Sequence, residues 1–258
     1  MSSSSGADGR ADPFDWDGRV EAWELVAATD AFASLRDAVC EAAAVVRSEQ
    51  VLDLGAGSGL IALALAPHAL RVEALDISPA MLERLADHAR EQRVTNVVPV
   101  VGDMRSLPFE DESFDVVVSN YAFHHLLDDV KELALSEARR VLVPGGRLIV
   151  CDMMFALSLQ PRDRKLLLDK LVAIVRRGPG GLFRIAKNAG RAAVGAWEHP
   201  ATPEQWQRML QARHFDDMQI RLLINEAGLA TARRPPTRTP GPGTAPGPKT
   251  PARRATPG

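Results

Sequence analysis

Two cysteines, Cys40 and Cys151, are all that a chain of 258 residues contains. That is too few for a disulfide framework, and their separation matches no zinc-ligand spacing. Long apolar runs are also missing. The longest spans the seven residues from Leu60 to Ala66, against about 18 for a membrane-crossing helix. The opening Met1-Ser2-Ser3-Ser4-Ser5-Gly6 has neither the basic nor the apolar region of a secretion signal. Together these absences predict a cytoplasmic protein with no structural metal. What is present is ordinary for a folded protein: 46% hydrophobic and 25% charged residues with a mean hydropathy of -0.09, which excludes a chain disordered throughout. The length predicts one elaborated domain.

Charge is unevenly distributed. Residues 1–160 hold 13 Lys/Arg against 26 Asp/Glu, residues 161–200 hold 9 against 3, and residues 231–258 hold 6 against none. An acidic body with a basic insert and a basic tail repels phosphates over most of its surface, so no nucleic-acid partner is expected. The basic insert is suited to peripheral contact with an anionic membrane.

Punctuation by Gly and Pro sets the expected boundaries. Residues 1–13 are polar and rich in Gly and Ser. Residues 231–258 contain 8 Pro and 4 Gly, too little apolar material to offset the entropy of ordering. Both are expected to be disordered, leaving residues 14–230 as the domain. Within it, Val20 to Val46 has helical periodicity in two parts, with Trp23, Val26, Phe32, Leu35 and Val39 on the apolar side. From residue 51, short β-branched runs alternate with helical stretches. The runs are Val51–Leu54, Val72–Asp76, Val97–Val101, Phe114–Val118 and Arg147–Val150. The helices are Gly59–Ala66, Pro79–Glu91 and Asp128–Val141, with Ser78 a natural N-cap before Pro79. Apolar strands joined by helical crossovers mean a parallel sheet covered on both faces. Pro203–Ala212 reads as a further helix, and Met218–Leu223 with Leu229–Ala232 as a closing antiparallel pair.

The first strand ends in Asp53-Leu54-Gly55-Ala56-Gly57-Ser58-Gly59 and enters a helix. Glycines there let a ligand approach the backbone, and a helix N-terminus offers free N–H groups. A dinucleotide fingerprint needs its third Gly one position later, where Leu60 stands, and no Lys-Ser/Thr pair follows for a P-loop. The second strand ends in Asp76, 21 positions after Gly55, where a carboxylate can accept both hydroxyls of a ribose. Gly102-Asp103-Met104 and Ser119-Asn120-Tyr121 follow the third and fourth strands, so all four sites share one sheet edge. Plainer readings stay open at this stage: a tight turn without ligand at Gly55 to Gly57, a helix cap at Asp76, a solvated loop carboxylate at Asp103.

These motifs, with Leu107-Pro108-Phe109, Phe114-Asp115-Val116-Val117 and Leu142-Val143-Pro144-Gly145-Gly146, resemble the class I S-adenosylmethionine-dependent methyltransferases over residues 45–155. The type is the small-molecule one, similar to ubiquinone/menaquinone and biotin-pathway methyltransferases. The resemblance implies a Rossmann-like doubly wound α/β fold. Its sheet has seven mostly parallel strands with an antiparallel closing strand, under a helical cap at 153–200. S-adenosyl-L-methionine is the implied cofactor. Gly55, Gly57 and Gly59 would pass its methionyl portion, Asp53 hold its ammonium and Asp76 its ribose. Ile77 would pack on the adenine, Asp103 take the adenine amine with Met104 beside it, and Asn120 offer a backbone contact.

On the acceptor side, Tyr121-Ala122-Phe123-His124-His125 follows the fourth strand. The run lacks both prolines of the Asn-Pro-Pro-Tyr pattern of nucleic-acid amino-methyltransferases. Either His125 or His124 is suited to take a proton near neutrality; the alternative is packing at a helix start with Asp128 and Asp129 as surface partners. Leu167, Leu168, Leu171, Ile174 and Val175 form an apolar stripe in the cap, which predicts a small, largely apolar acceptor. Two alternatives are an enzyme acting on a protein or RNA surface and a cofactor-binding protein that performs no transfer.

Overall fold

A computed structural model of the chain describes residues 15–155, 198–224 and 226–237. Most of the expected cap, its apolar stripe, its basic face and Trp197 lie outside the described residues.

Seven strands form one sheet in the order β3-β2-β1-β4-β5-β7-β6. They are β1 (Gln50–Leu54), β2 (Arg71–Asp76), β3 (Val97–Val101), β4 (Phe114–Asn120), β5 (Leu142–Met153), β6 (Asp216–Leu222) and β7 (Ala227–Arg233). The first five pair in parallel, and β7 runs antiparallel to both β5 and β6. The chain reverses its direction of travel across the sheet between β1 and β4, so the crevice beyond the C-terminal ends of these strands is the expected ligand position.

Among the described residues the α-helices are α1 (Val20–Ala27), α2 (Asp30–Ala43), α3 (Ala62–Leu65), α4 (Pro79–Glu91), α5 (Asp128–Val141) and α6 (Pro203–Ala212). Local chemistry accounts for their ends. Ser78 Oγ accepts the Met81 N–H at 3.1 Å while Pro79 takes the first helical position. At α6, Thr202 and Gln205 cap each other reciprocally. Alternate strand residues feed two cores, as the period of two requires. Leu52, Leu54, Val117, Leu148 and Val150 pack with Leu135 of α5 and Trp206 of α6. Val51, Val116, Val118 and Ile149 pack with Leu35 and Val39 of α2 and Leu82 and Leu85 of α4. Each such side chain removed from water stabilises by about 1.5–3 kcal/mol.

Several sequence-based boundaries need correction: β5 begins at Leu142 and not at Arg147, and β6 and β7 each begin two residues earlier than expected. The helix expected over Gly59–Ala66 shrinks to α3, because Gly59 adopts φ 97°, outside the helical region. The fifth strand runs beyond Val150 to Met153, held by pairing of Asp152 with Gly228 and Met153 with Ala227. The tail expected from residue 231 starts inside β7. Thr231, Ala232 and Arg233 pair with Ile149, Leu148 and Arg147, and Arg234 donates to the Leu142 carbonyl and to Glu112. Among the described residues, no helix is long and apolar enough to cross a membrane.

Candidate functional site

The turn after β1 is shaped by backbone that only glycine adopts without strain. Gly55 has φ 70° and Gly57 φ 53°. A Cβ on Gly55 would lie 2.4 Å from that of Ala122, so the turn closes directly on the segment after β4. The Gly55 and Ala56 N–H groups both donate to the Leu75 carbonyl, at 2.8 and 3.0 Å, tying the turn to the end of β2.

Asp53 sits below that turn, 1% exposed. Burial pushes its carboxyl up to about 7; the Ala62 N–H opposes the shift and the nearby Asp76 charge adds to it. Its Oδ2 is buried without a hydrogen-bond partner. Asp76 accepts the Gly57 N–H at 2.8 Å and the Ser78 N–H at 2.9 Å. It therefore couples the glycine turn to the start of α4, and removing the carboxylate leaves two buried donors without it. Ile77 presents a side chain 42% exposed on the same edge. Asp103 accepts the Arg105 N–H at 2.8 Å and its Nε at 2.7 Å, an arrangement that sequence spacing did not suggest. Met104 reaches to 3.5 Å from a Cβ placed on Gly55. For Asn120, expected to contribute backbone, the distinctive atom is its side-chain Oδ1, which is buried without a hydrogen-bond partner. Leaving a buried polar atom unmatched costs about 1–3 kcal/mol, and such atoms are few in native proteins. Trp206 Nε1 shares that condition, but its ring is core, 5.4 Å from Phe123.

Beyond β4 the backbone turns sharply. Tyr121 has φ 56°, a left-handed conformation that costs a bulky residue about 1–3 kcal/mol, and burial raises its phenol well above the usual range. A short 3-10 turn, Phe123–His125, follows. His124 is 5% exposed and Asp152, at the end of β5, 1%. Their Nδ1 and Oδ1 atoms are 2.6 Å apart, and the other carboxylate oxygen accepts the His124 N–H at 3.2 Å. Asp128, expected as a surface partner of this pair of histidines, instead accepts from Lys131 Nζ at 2.7 Å. The His125 ring lies 3.9 Å from that of His124 and 4.7 Å from Trp16, and Tyr121 stands edge-on to His124 at 5.6 Å.

All eleven sequence-derived site residues thus fall at or beside the C-terminal edge of β1, β2, β3 and β4. Residues missed from sequence also stand there. Asp152 was hidden because the apolar run ends at Val150, although an acid at a strand's C-terminal end was the signal used for Asp53 and Asp76. Residues before α2 were missed as well. Asp17 accepts from Ser78 Oγ at 2.5 Å and the Ala80 N–H at 3.3 Å. Glu24 accepts from Ser58 Oγ at 2.5 Å and pairs with Arg84 and His88, each at 3.1 Å. A cavity of about 310 Å³ lies between α1 and the turn, lined by Glu24, Ser58, Gly59, Leu60 and His88 among others. Gly59 is its one contributor from the sequence-derived set.

The sequence profile described as a methyltransferase domain matches residues 52–150. The chain is 32% identical to the demethylmenaquinone methyltransferase of Clavibacter sepedonicus over 217 residues, which is 77% of this chain and 78% of that one. A demethylmenaquinone methyltransferase of Thermotoga maritima is also 32% identical, over 75% of this chain and 82% of its own. Similarity to the uncharacterized methyltransferase YcgJ of Bacillus subtilis is 41% over 103 residues, 40% of each chain. The crystal structure of a YcgJ protein from that organism superposes with a TM-score of 0.58 at 21% identity, covering 78% of this chain and 97% of the other.

Proposed function

The chain belongs to the class I S-adenosylmethionine-dependent methyltransferases, and from that premise we propose that it methylates a small, largely apolar acceptor that loses a proton to His124. The observation that carries this reading is the buried His124–Asp152 pair at 2.6 Å, at the strand ends beside the cofactor edge.

The residues present fit the cofactor. Beside the glycine turn, Asp53 and Asn120 each keep a buried oxygen without a partner. An ammonium has N–H groups for both. In this reading Gly55, Gly57 and Gly59 line the methionyl end while Asp76 takes the ribose. Ile77 and Met104 flank the adenine, and Asp103 accepts its amine. When bound, S-adenosylmethionine supplies a methyl group already made electrophilic by its positive sulfur.

The protein's remaining tasks are to orient the acceptor and remove its proton. With Nδ1 of His124 held against Asp152, Nε2 is the ring nitrogen left to take the proton. Asp152 stabilises the imidazolium as it forms. Transfer would therefore need from the protein only an acceptor held in line with that methyl group and a base at His124 for the proton the acceptor gives up. Tyr121, His125 and Trp16 around His124 suit a planar apolar acceptor. The names of the Clavibacter and Thermotoga relatives support an acceptor of the quinone class; in its reduced form such a ring carries hydroxyls, whose protons a base would take.

The test is transfer of labelled methyl to reduced demethylated naphthoquinones, run on wild type and His124→Ala. The variant is expected to lose about 10²- to 10⁴-fold in turnover while S-adenosylhomocysteine affinity stays within twofold. Undiminished turnover in His124→Ala would remove the base from this scheme. Absence of any transfer to this class by wild type would remove the acceptor.

A further inference from the structure

The described residues before β1 form a strap across the glycine turn. Asp17 anchors one flank on Ser78 and the Ala80 N–H, and Glu24 the other on Ser58, Arg84 and His88. Rings continue the contact: Trp16 lies on His125, while Trp23 stands 5.4 Å from Phe32 and Phe32 4.9 Å from Tyr121. Between the anchors, Trp23 Nε1 is 3.2 Å from the position a Cβ on Gly57 would take. Gly57 is thus small enough to bring the indole edge against the turn itself. That indole nitrogen is buried and has no hydrogen-bond acceptor.

The character of the unmatched atoms identifies what they await. Trp23 Nε1 is a donor only, whereas Asp53 Oδ2 and Asn120 Oδ1 are acceptors. They come from the strap, from β1 and from the adjacent end of β4, around one turn. An α-amino acid end group has the reverse complement: a carboxylate that needs a donor and an ammonium that needs acceptors. The carboxylate has a further reason to favour this place, since a donor in a water-poor site is worth more to a charged partner than to a neutral one.

We propose that Trp23 donates its indole N–H to the carboxylate of the cofactor's methionyl end, which makes the strap a wall of the cofactor site. The proposal rests on the cofactor assignment above and adds a binding residue from outside the strand-end motifs. It also gives Gly57 a second function, since any side chain there would push the indole away from the turn.

The test compares two ligands that share a nucleoside and a thioether: S-adenosylhomocysteine, which has the amino-acid end, and 5′-methylthioadenosine, which lacks it. Calorimetry on the full chain and on Trp23→Phe is expected to show S-adenosylhomocysteine affinity falling about ten- to hundredfold, the range for a hydrogen bond to a charged group. Methylthioadenosine affinity is expected to stay within twofold. In wild-type protein labelled with ¹⁵N-tryptophan, the Trp23 indole resonance should shift on adding the first ligand and not the second, a readout that needs no variant to fold. Equal losses for both ligands, an unchanged S-adenosylhomocysteine affinity, or an unmoved indole resonance each overturn the assignment of Trp23 and leave the cofactor standing. Wild type binding neither ligand would overturn the cofactor itself.

Discussion

Arg147, half-buried, and Asp53, fully buried, are ionisable side chains at the borders of one sheet, and they are treated in opposite ways. Arg147 stands where β4 and β5 begin their main pairing. Its Nε donates to the Ala43 carbonyl at 2.6 Å, another nitrogen donates to the Ala44 carbonyl at 3.0 Å, and Glu49 takes two further bonds at 2.7 Å. Arg140 nearby is held by Glu137, Asp111 and the carbonyls of Phe109 and Leu107. At the far ends of the strands, Asp53 and Asn120 keep unmatched oxygens and Tyr121 holds a strained backbone. One border stabilises the fold; the other gives up stability, which under the proposed cofactor assignment a charged ligand would restore.

The sharpest way to break this contrast is at Asp53. Its carboxyl, held up to about 7 against a usual 3.8, keeps a proton in the native state that the unfolded chain has already released between those values. Unliganded stability should therefore fall as pH rises from about 4 to 7 and level off above, by up to about 4 kcal/mol. Asp53→Asn should abolish that slope and melt several degrees higher than wild type at pH 8, while S-adenosylhomocysteine affinity drops about a hundredfold. Because an ammonium favours the ionised carboxylate, wild-type affinity should also climb through pH 6 to 7 and then flatten. Thermal melts and calorimetry across pH measure both, and a variant less stable than wild type at pH 8 would mean that Asp53 is an ordinary structural acid.

The converse change lies at the satisfied border. Arg147→Ala should cost about 2–3 kcal/mol, less than a fully buried pair because both partners are partly solvated, and should leave S-adenosylhomocysteine affinity unchanged. Denaturant midpoints and calorimetry read the two effects separately. Loss of affinity in the folded variant would show that the two borders are coupled. The smallest effect is expected at the chain's end. Stopping after Thr237 should not move the melting temperature, whereas stopping after Ala232 should lower it by a few degrees, because Arg234 and the last pairing of β7 are lost.

What could be read from the sequence divides along a similar line. Features fixed by neighbours in the chain were legible: Ser78 and Pro79 start α4 where expected, Asp128 to Val141 forms α5, and the acids at the strand ends share one edge. Features fixed by distant pairing were not. Asp152 belongs to β5 because β7 lies beside it, and no local periodicity records that neighbour. The same limit applied to Trp23. Helical spacing placed it on the apolar face of α1, but the position of Gly57 against its indole nitrogen depends on how the strap crosses the turn. Arg234 was read as tail for want of apolar company, although its role is to satisfy carbonyls.

The place of β7 carries a consequence for the making of the protein. The last described strand in the chain is interior to the sheet, between β5 and β6. During synthesis, β5 with its Leu148, Ile149 and Val150 must wait with an open side until Ala227 and the residues after it have left the ribosome. At about 5–20 residues per second that is a delay of roughly 4–15 s. For that interval the nascent chain presents an unpaired apolar strand edge, the kind that recruits chaperones or other copies of itself.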